Sequence, residues 1–325
     1  MLQRFSLLRL LPQVLLLLVL ILLLGWLGHN VLESMRARGI QAGFDFLLDP
    51  AGFEIGESVF EYDASQPLWR AFLTGTGNTL RVALPAILLS TVLGSLIGLG
   101  RLAIHPVPRR LCGALVETLR NIPLLLQLLM CYFALTSLLP DAADAISPLP
   151  WTLLGKGGFF MPAWRCDEAG CGWDLPVAEG FGISGGWSLS PEFLAVLIAL
   201  SLYSAVFIAE IVRGGIQSVP RGQIDSARAI GLRPFQVLRY VVAPLALRAV
   251  VPPMGNQYLN LIKNSSLAVA VGYPELVSVS NTSINQTGRA FECIVIVMAV
   301  YLALSLLTAL LVNFYNRRVA LRGVA

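Results

Sequence analysis

Six apolar stretches, each close to the length of a bilayer-spanning helix, constrain what this chain can fold into more than any other feature. They cover residues 11–28, 79–102, 111–139, 193–212, 243–262 and 294–314. A hydrocarbon core of about 30 Å takes roughly 20 residues of α-helix, and within it every backbone polar group must be satisfied inside the segment. The pattern therefore predicts an all-α integral membrane helix bundle of about six transmembrane helices. The fifth stretch is the weakest, because Pro244, Pro252 and Pro253 interrupt it and polar residues end it. Composition agrees: of 325 residues, 56% are hydrophobic and only 13% charged, and the mean hydropathy is +0.73. A soluble domain carries about 25% charged residues, so most of this chain lacks a skin for water.

The net charge is +4, but the arginines collect in short segments between apolar runs. That distribution sets topology and gives no reason to expect nucleic acid as a partner. With the N-terminus inside, the inner segments carry Arg4, Arg9, Arg101, Arg109, Arg110, Arg120, Arg213, Arg221, Arg228, Arg233, Arg239, Arg248, Arg317, Arg318 and Arg322. The outer ones carry Arg36, Arg38, Arg70, Lys156, Arg165, Lys263 and Arg289. The inner excess is about twofold, so both termini are expected in the cytoplasm. The first stretch follows Arg4 and Arg9 as a secretory leader would. It is longer than the roughly 7–15 apolar residues of such a leader, and no small-residue cleavage site follows Trp26, so it is expected to stay as a helix.

Two long outer segments, 30–71 and 140–191, are acidic through Asp45, Asp49, Glu54, Glu57, Glu61, Asp63, Asp141, Asp144, Asp167, Glu168, Asp174 and Glu179, and suit small docking surfaces. The expected division is an N-terminal transmembrane helix with an acidic outer segment over 1–71, then a five-helix core over 72–325. In the second outer segment, Cys166 and Cys171 sit among Trp164, Gly172 and Trp173. A disulfide closing this loop in an oxidising compartment and two reduced thiols are both compatible with the spacing. Cys112, Cys131 and Cys293 lie in or beside apolar runs and read as small hydrophobes. His29 and His105 stand alone, so no metal, cofactor or catalytic residue is expected, and without a Walker A sequence the chain is not expected to hydrolyse ATP itself.

The loop over 219–235 carries the most information. Pro220 and Gly222 end the incoming helix, and Asp225 to Ile230 can form a short helix. Gly231 supplies a left-handed stop. Leu232 and Phe235 offer apolar side chains beyond it, and Asp225 and Arg228 suit the two ends of the helix dipole. A short helix that plugs a partner's groove and one that merely rests in lipid headgroups both fit this periodicity.

The loop resembles the coupling motif of ABC importer permeases, in which Glu-Ala-Ala is followed after three residues by Gly and after nine more by Ile-x-Leu-Pro. Here Asp225, Ser226 and Ala227 stand for the first triplet, Gly231 for the glycine, and Val241, Ala243 and Pro244 for the last group. The resemblance implies that Gln223, Asp225, Ser226, Ala227, Gly231, Leu232, Pro234 and Phe235 seat against a cytoplasmic ATPase dimer. Further motifs are similar to the polar amino acid uptake permeases: Asn78 to Arg81; Glu117, Arg120, Asn121, Pro123 and Gln127; Glu210, Arg213 and Gly214; and Asn256 to Leu267. Ile122 departs, a threonine being more usual. The N-terminal run from Arg36 through Ile40, Gly43, Phe44, Phe46, Gly52, Phe53 and Gly56 to Ser58 is similar to the general L-amino acid subgroup, whose members pair with a second permease.

The resemblance implies a type I permease fold in a bacterial inner membrane, L-amino acids as cargo and a periplasmic binding protein as a further partner. Lys263, Asn264, Ser265 and Ser266, after the prolines of the fifth stretch, are candidates for the translocation path, since polar groups at membrane depth are seldom idle; capping at the outer interface is the alternative. Glu117 with Arg120, and Glu210 with Arg213, are i, i+3 pairs expected to form gate or interface elements together with Asn121. A channel or secondary transporter that works without ATP is the rival reading. Gly94 and Gly98 form a small-residue face on the second stretch, for another helix of this chain or of a partner.

Overall fold

The structure, a computed structural model, describes residues 7–37, 43–167, 170–180 and 182–321. Arg4, Arg38, Gly39, Ile40, Glu168 and Arg322 lie outside these residues, as do the side chains of Arg9, Arg36, Asp167, Arg317 and Arg318. Helices dominate: α1 (Leu7–Ala37), α2 (Leu68–Arg101), α3 (Pro106–Asn121), α4 (Leu124–Leu138), α5 (Pro191–Gln217), α6 (Arg221–Ala229), α7 (Pro234–Val237), α8 (Ala243–Asn264), α9 (Leu276–Thr287) and α10 (Ala290–Leu321). Among the described residues, five segments are long and apolar enough to cross a membrane on their own, and α3 with α4 makes a sixth only as a pair bent by 105°.

That bend corrects the reading of 111–139 as one span. Pro123 bars the α-helical region to the residue before it, and Ile122 accordingly sits at φ −93°, ψ 128°. The helix breaks there, leaving α3 as an amphipathic helix turned away from α4. A second proline acts less severely. The ring of Pro244 would meet the carbonyl four residues back, at Tyr240, and the chain answers with a π-helical stretch over Leu238–Val242, so that α7, this stretch and α8 run on as one bent rod. α2 begins 11 residues earlier than its apolar run, because the polar and small residues Thr74, Gly75 and Asn78 are buried against α9 rather than exposed to water.

The core sits where α2, α4, α5 and the α8–α9 connection meet, around Val82, Ala86, Leu128, Val196, Leu261 and Tyr273. Gly94 and Gly98 allow α2 to lie directly on α5: a Cβ on Gly94 would come within 2.6 Å of the Ala205 carbonyl oxygen, and one on Gly98 within 2.7 Å of that of Ala209. The small-residue face therefore serves a contact inside this chain. By contrast, the most apolar windows of α1 and α10 are not buried by the rest of the described chain.

The 140–191 segment is not a plain loop. Its described residues fold into seven short antiparallel strands: β1 (Leu153–Gly155), β2 (Gly158–Met161) and β7 (Trp187–Leu189) form one sheet in the order β1-β2-β7. The other four pair as hairpins, β3 (Ala163–Asp167) with β4 (Gly170–Asp174) and β5 (Val177–Glu179) with β6 (Gly182–Ser184). Cys166 and Cys171 face each other across β3 and β4 and are joined as a disulfide, and Trp164 packs edge-on against Trp173 beside it. The irregular segment 43–67 is fastened to the same end of the bundle. The buried Asn78 amide donates to the carbonyls of Glu57 (2.7 Å) and Pro274 (2.8 Å) and accepts from the Val59 N–H. Arg81 pairs with Glu57 at 2.7 Å, and Ser190 Oγ donates to the same carboxylate.

Candidate functional site

At the opposite end of α5, Ser218, Val219 and Pro220 lead into α6. Pro220 and Arg221 start a new helix after a sharp turn, and the helix closes with a full left-handed cap. Gly231 lies at φ +87°; its N–H donates to the Arg228 carbonyl (2.9 Å), and the Leu232 N–H reaches back to that of Ala227 (3.2 Å). Arg233 then opens α7, its N–H held by the Gln236 side chain at 2.8 Å. These caps make a rigid protruding corner from a stretch with little core of its own.

The eight residues singled out in this loop divide by direction. Gln223, Asp225, Ser226, Gly231, Pro234 and Phe235 are exposed, Leu232 is half-buried, and Ala227, at 5% exposure, holds the corner to the bundle. Asp225 lies 3.9 Å from Arg228, both well exposed, an arrangement that adds little stability. Sequence reading passed over Ile230. At 78% exposure it adds a second bare apolar side chain to the corner, with Phe235 at 67%. Its signal was there, an isoleucine in the capping position before a left-handed glycine, where the chain points outward.

Just before this corner, Glu210 and Arg213 pair as their spacing predicts. Arg213 donates to Glu210 through Nε (3.1 Å) and Nη2 (2.7 Å), and through Nη1 to Gln217 (2.5 Å). Arg101, at the end of α2, donates to the same carboxylate, so one acid ties the ends of two spans together. The expected Glu117–Arg120 pair does not form. Arg120 instead lies over the ring of Phe207, 5.7 Å from its centre, because α3 packs that face on α5, while exposed Glu117 receives the Asn121 amide on its backbone carbonyl (2.8 Å).

The four polar residues after the prolines also part ways. Lys263 is exposed and Asn264 half-buried, but Ser265 is fully buried and donates to the Ile262 carbonyl (2.7 Å). Ser266 donates to the Lys263 carbonyl. Elsewhere between α2 and α8, Thr91 Oγ1 and Tyr258 OH share a hydrogen bond of 3.0 Å beside an apolar cavity of about 750 Å³. In the connection between α8 and α9, outside the membrane-length segments, the Glu275 carboxylate caps α9 by accepting from the N–H groups of Val277 and Ser278, and burial pushes its carboxyl up to about 7. Among the described residues no group of His, Cys, Asp and Glu suited to a metal occurs.

A bundle of membrane-length helices with a capped helical corner at one end defines a multi-span membrane component. Residues 90–321 match the family model described as the inner membrane component of binding-protein-dependent transport systems, and the chain belongs to this family of ABC importer permeases. It is therefore a transport subunit rather than an enzyme. It is 37% identical, over 95% of its length and 93% of the relative's, to the putative amino-acid ABC transporter permease protein YhdX of Escherichia coli K12. It is also 37% identical to the general L-amino acid transport system permease protein AapQ of Rhizobium johnstonii, over 95% of this chain and 91% of that one. A solved amino acid ABC transporter crystallised with histidines shares its fold at a TM-score of 0.58 and 24% identity, covering 77% of this chain and 94% of the other.

Proposed function

We propose that this permease carries L-amino acids across a bacterial inner membrane, forming the translocation path with a second permease and moving in response to a separate ATPase dimer seated on the 219–235 corner. The observation that carries this reading is the capped corner itself: Ile230 and Phe235 are both bare apolar side chains, on either side of the left-handed stop at Gly231 that closes α6 and the Arg233–Gln236 bond that opens α7. An apolar plug on a rigid mount transmits a push, where a floppy loop would absorb it. The names of the relatives support amino acids as cargo.

Both termini lie in the cytoplasm in this reading, which puts the strands of 153–189 and the 43–67 segment outside, where a substrate-loaded binding protein docks. Lys263, Asn264 and Ser266 line the path, with Ser265 supporting them from behind. Asn121, Glu210 and Arg213 act at the inner gate, alongside Glu117 and Arg120. Chain division at about residue 71 separates the added N-terminal helix from the shared core.

The test is uptake of radiolabelled amino acids into vesicles containing this chain, with and without its ATPase, second permease and binding protein. Uptake that requires ATP and every partner supports the reading. Uptake by this chain alone would replace it with a channel or secondary transporter.

A further inference from the structure

The end of the bundle that carries the coupling corner also holds a cleft of about 480 Å³ that the corner does not line. Its walls are Arg101, Arg109, Arg110, Arg213, Glu117 and Gln217, with Gly113 taking little room between them. Four guanidinium groups face two carboxylates here, since Glu210 engages Arg101 and Arg213 at the rim. Arg109 and Arg110 are exposed and enter no salt bridge among the described residues. The cleft thus keeps an excess of two positive charges and room for a small anion.

The helix that supplies Arg109 and Arg110 says what kind of anion. On α3, Val107, Leu111 and Leu115 lie at i, i+4 and i+8 and are 54%, 66% and 42% exposed, while Val116 at 2% faces the bundle. A bare apolar stripe over two turns, with Arg110 on its flank and Arg109 farther round toward the bundle, on a helix turned 105° from its neighbouring span is the form of a helix lying in the headgroup layer. A docked protein would find the bare apolar side chains of the corner elsewhere, at Ile230 and Phe235.

We propose that this cleft binds the headgroup of an anionic phospholipid, with Arg109 and Arg110 holding the phosphate and the Val107, Leu111 and Leu115 stripe lying against acyl chain. Naming the leaflet as cytoplasmic rests on the orientation given above; the site itself does not. Basic pockets between membrane helices favour anionic headgroups, each arginine adding to the attraction.

The experiment uses the full chain assembled with its co-purifying subunits, delipidated in detergent and titrated with phosphatidylglycerol or phosphatidylcholine under native mass spectrometry. The protein and an R70Q control at the other end should retain phosphatidylglycerol over phosphatidylcholine, and R109E/R110E should lose it by about tenfold while still carrying the ATPase. R109Q/R110Q, which removes charge without reversing it, serves if the reversed pair does not assemble. Equal retention of both lipids, or retention unchanged in the variants, overturns the proposal. So does inorganic phosphate displacing phosphatidylglycerol completely, which would make this a free-anion site. Loss of the ATPase with lipid binding intact would assign the cleft to that partner instead.

Discussion

Arg101 closes α2 by donating to the carboxylate of Glu210 on α5, 109 residues further along the chain. Arg213 holds both oxygens of the same carboxylate, less than two turns before the coupling corner. Glu210 thus bridges two cations that would otherwise repel each other where two spans end.

Replacing Glu210 by Gln keeps the shape and removes the charge that both arginines need. Hydrogen bonds to charged groups contribute about 2 kcal/mol each, so E210Q is expected to lower the melting temperature in detergent, and R101Q/E210Q to be less destabilised than the sum of its parts. Strict additivity of the two substitutions would show that the three groups do not act as one unit.

The contact of α2 with α5 predicts opposite outcomes at two glycines. A side chain at Gly94 runs into the Ala205 carbonyl and Ile208, so G94V should prevent stable packing of the bundle. Gly214 has nothing within 4 Å of its would-be Cβ and sits inside α5, so G214A should gain up to about 1 kcal/mol from helix propensity. Thermal unfolding of the two variants side by side measures both; a stable G94V would remove the close approach from the account.

Gly231 stands at φ +87° with no neighbour within 4 Å, so only its backbone limits what can replace it. A β-branched residue there opposes the left-handed cap by more than about 1–2 kcal/mol, whereas Asn tolerates it. G231V should insert normally and lose uptake, and G231N should keep much of it. Equal uptake by both variants would detach the corner from energy coupling.

Glu275 gives a pH dependence of definite sign. Its folded value of about 7 lies above the ordinary 4.5, because burial outweighs the hydrogen bonds from Val277, Ser278 and Tyr301. The folded state therefore holds the proton longer: the stability linked to this group is fully present below 4.5 and lost as pH rises through about 7. The difference is worth about 3 kcal/mol. E275Q keeps a cap acceptor without the titration, so it should flatten the fall in melting temperature over this range. A slope equal to that of the unaltered protein would assign the effect elsewhere.

Local chemistry made much of this legible from the residues alone. The left-handed stop at Gly231 and the Glu210–Arg213 pair each depend on neighbours a few positions away, and both stand in the structure as read. What lay beyond reach was contact at long range: nothing near Arg101 announces Glu210, and nothing near Asn78 announces the Pro274 carbonyl it holds. The Glu117–Arg120 spacing misled because packing on Phe207 outbids a pair exposed to water. The Ile122–Pro123 break was visible in principle, since the proline's restriction on its predecessor is local and Glu117, Arg120 and Asn121 already interrupt the apolar run before it. The outer strands, three to five residues long between glycines, are too short for an alternating pattern to register.

The turn at Pro123 leaves α4 with 15 residues, about 22 Å of helix, to cross a layer of about 30 Å. Such a segment is a poor passenger for the insertion machinery by itself. Its placement rests on the long helix α5, against which Leu124 and Leu128 are buried, rather than on its own apolar length.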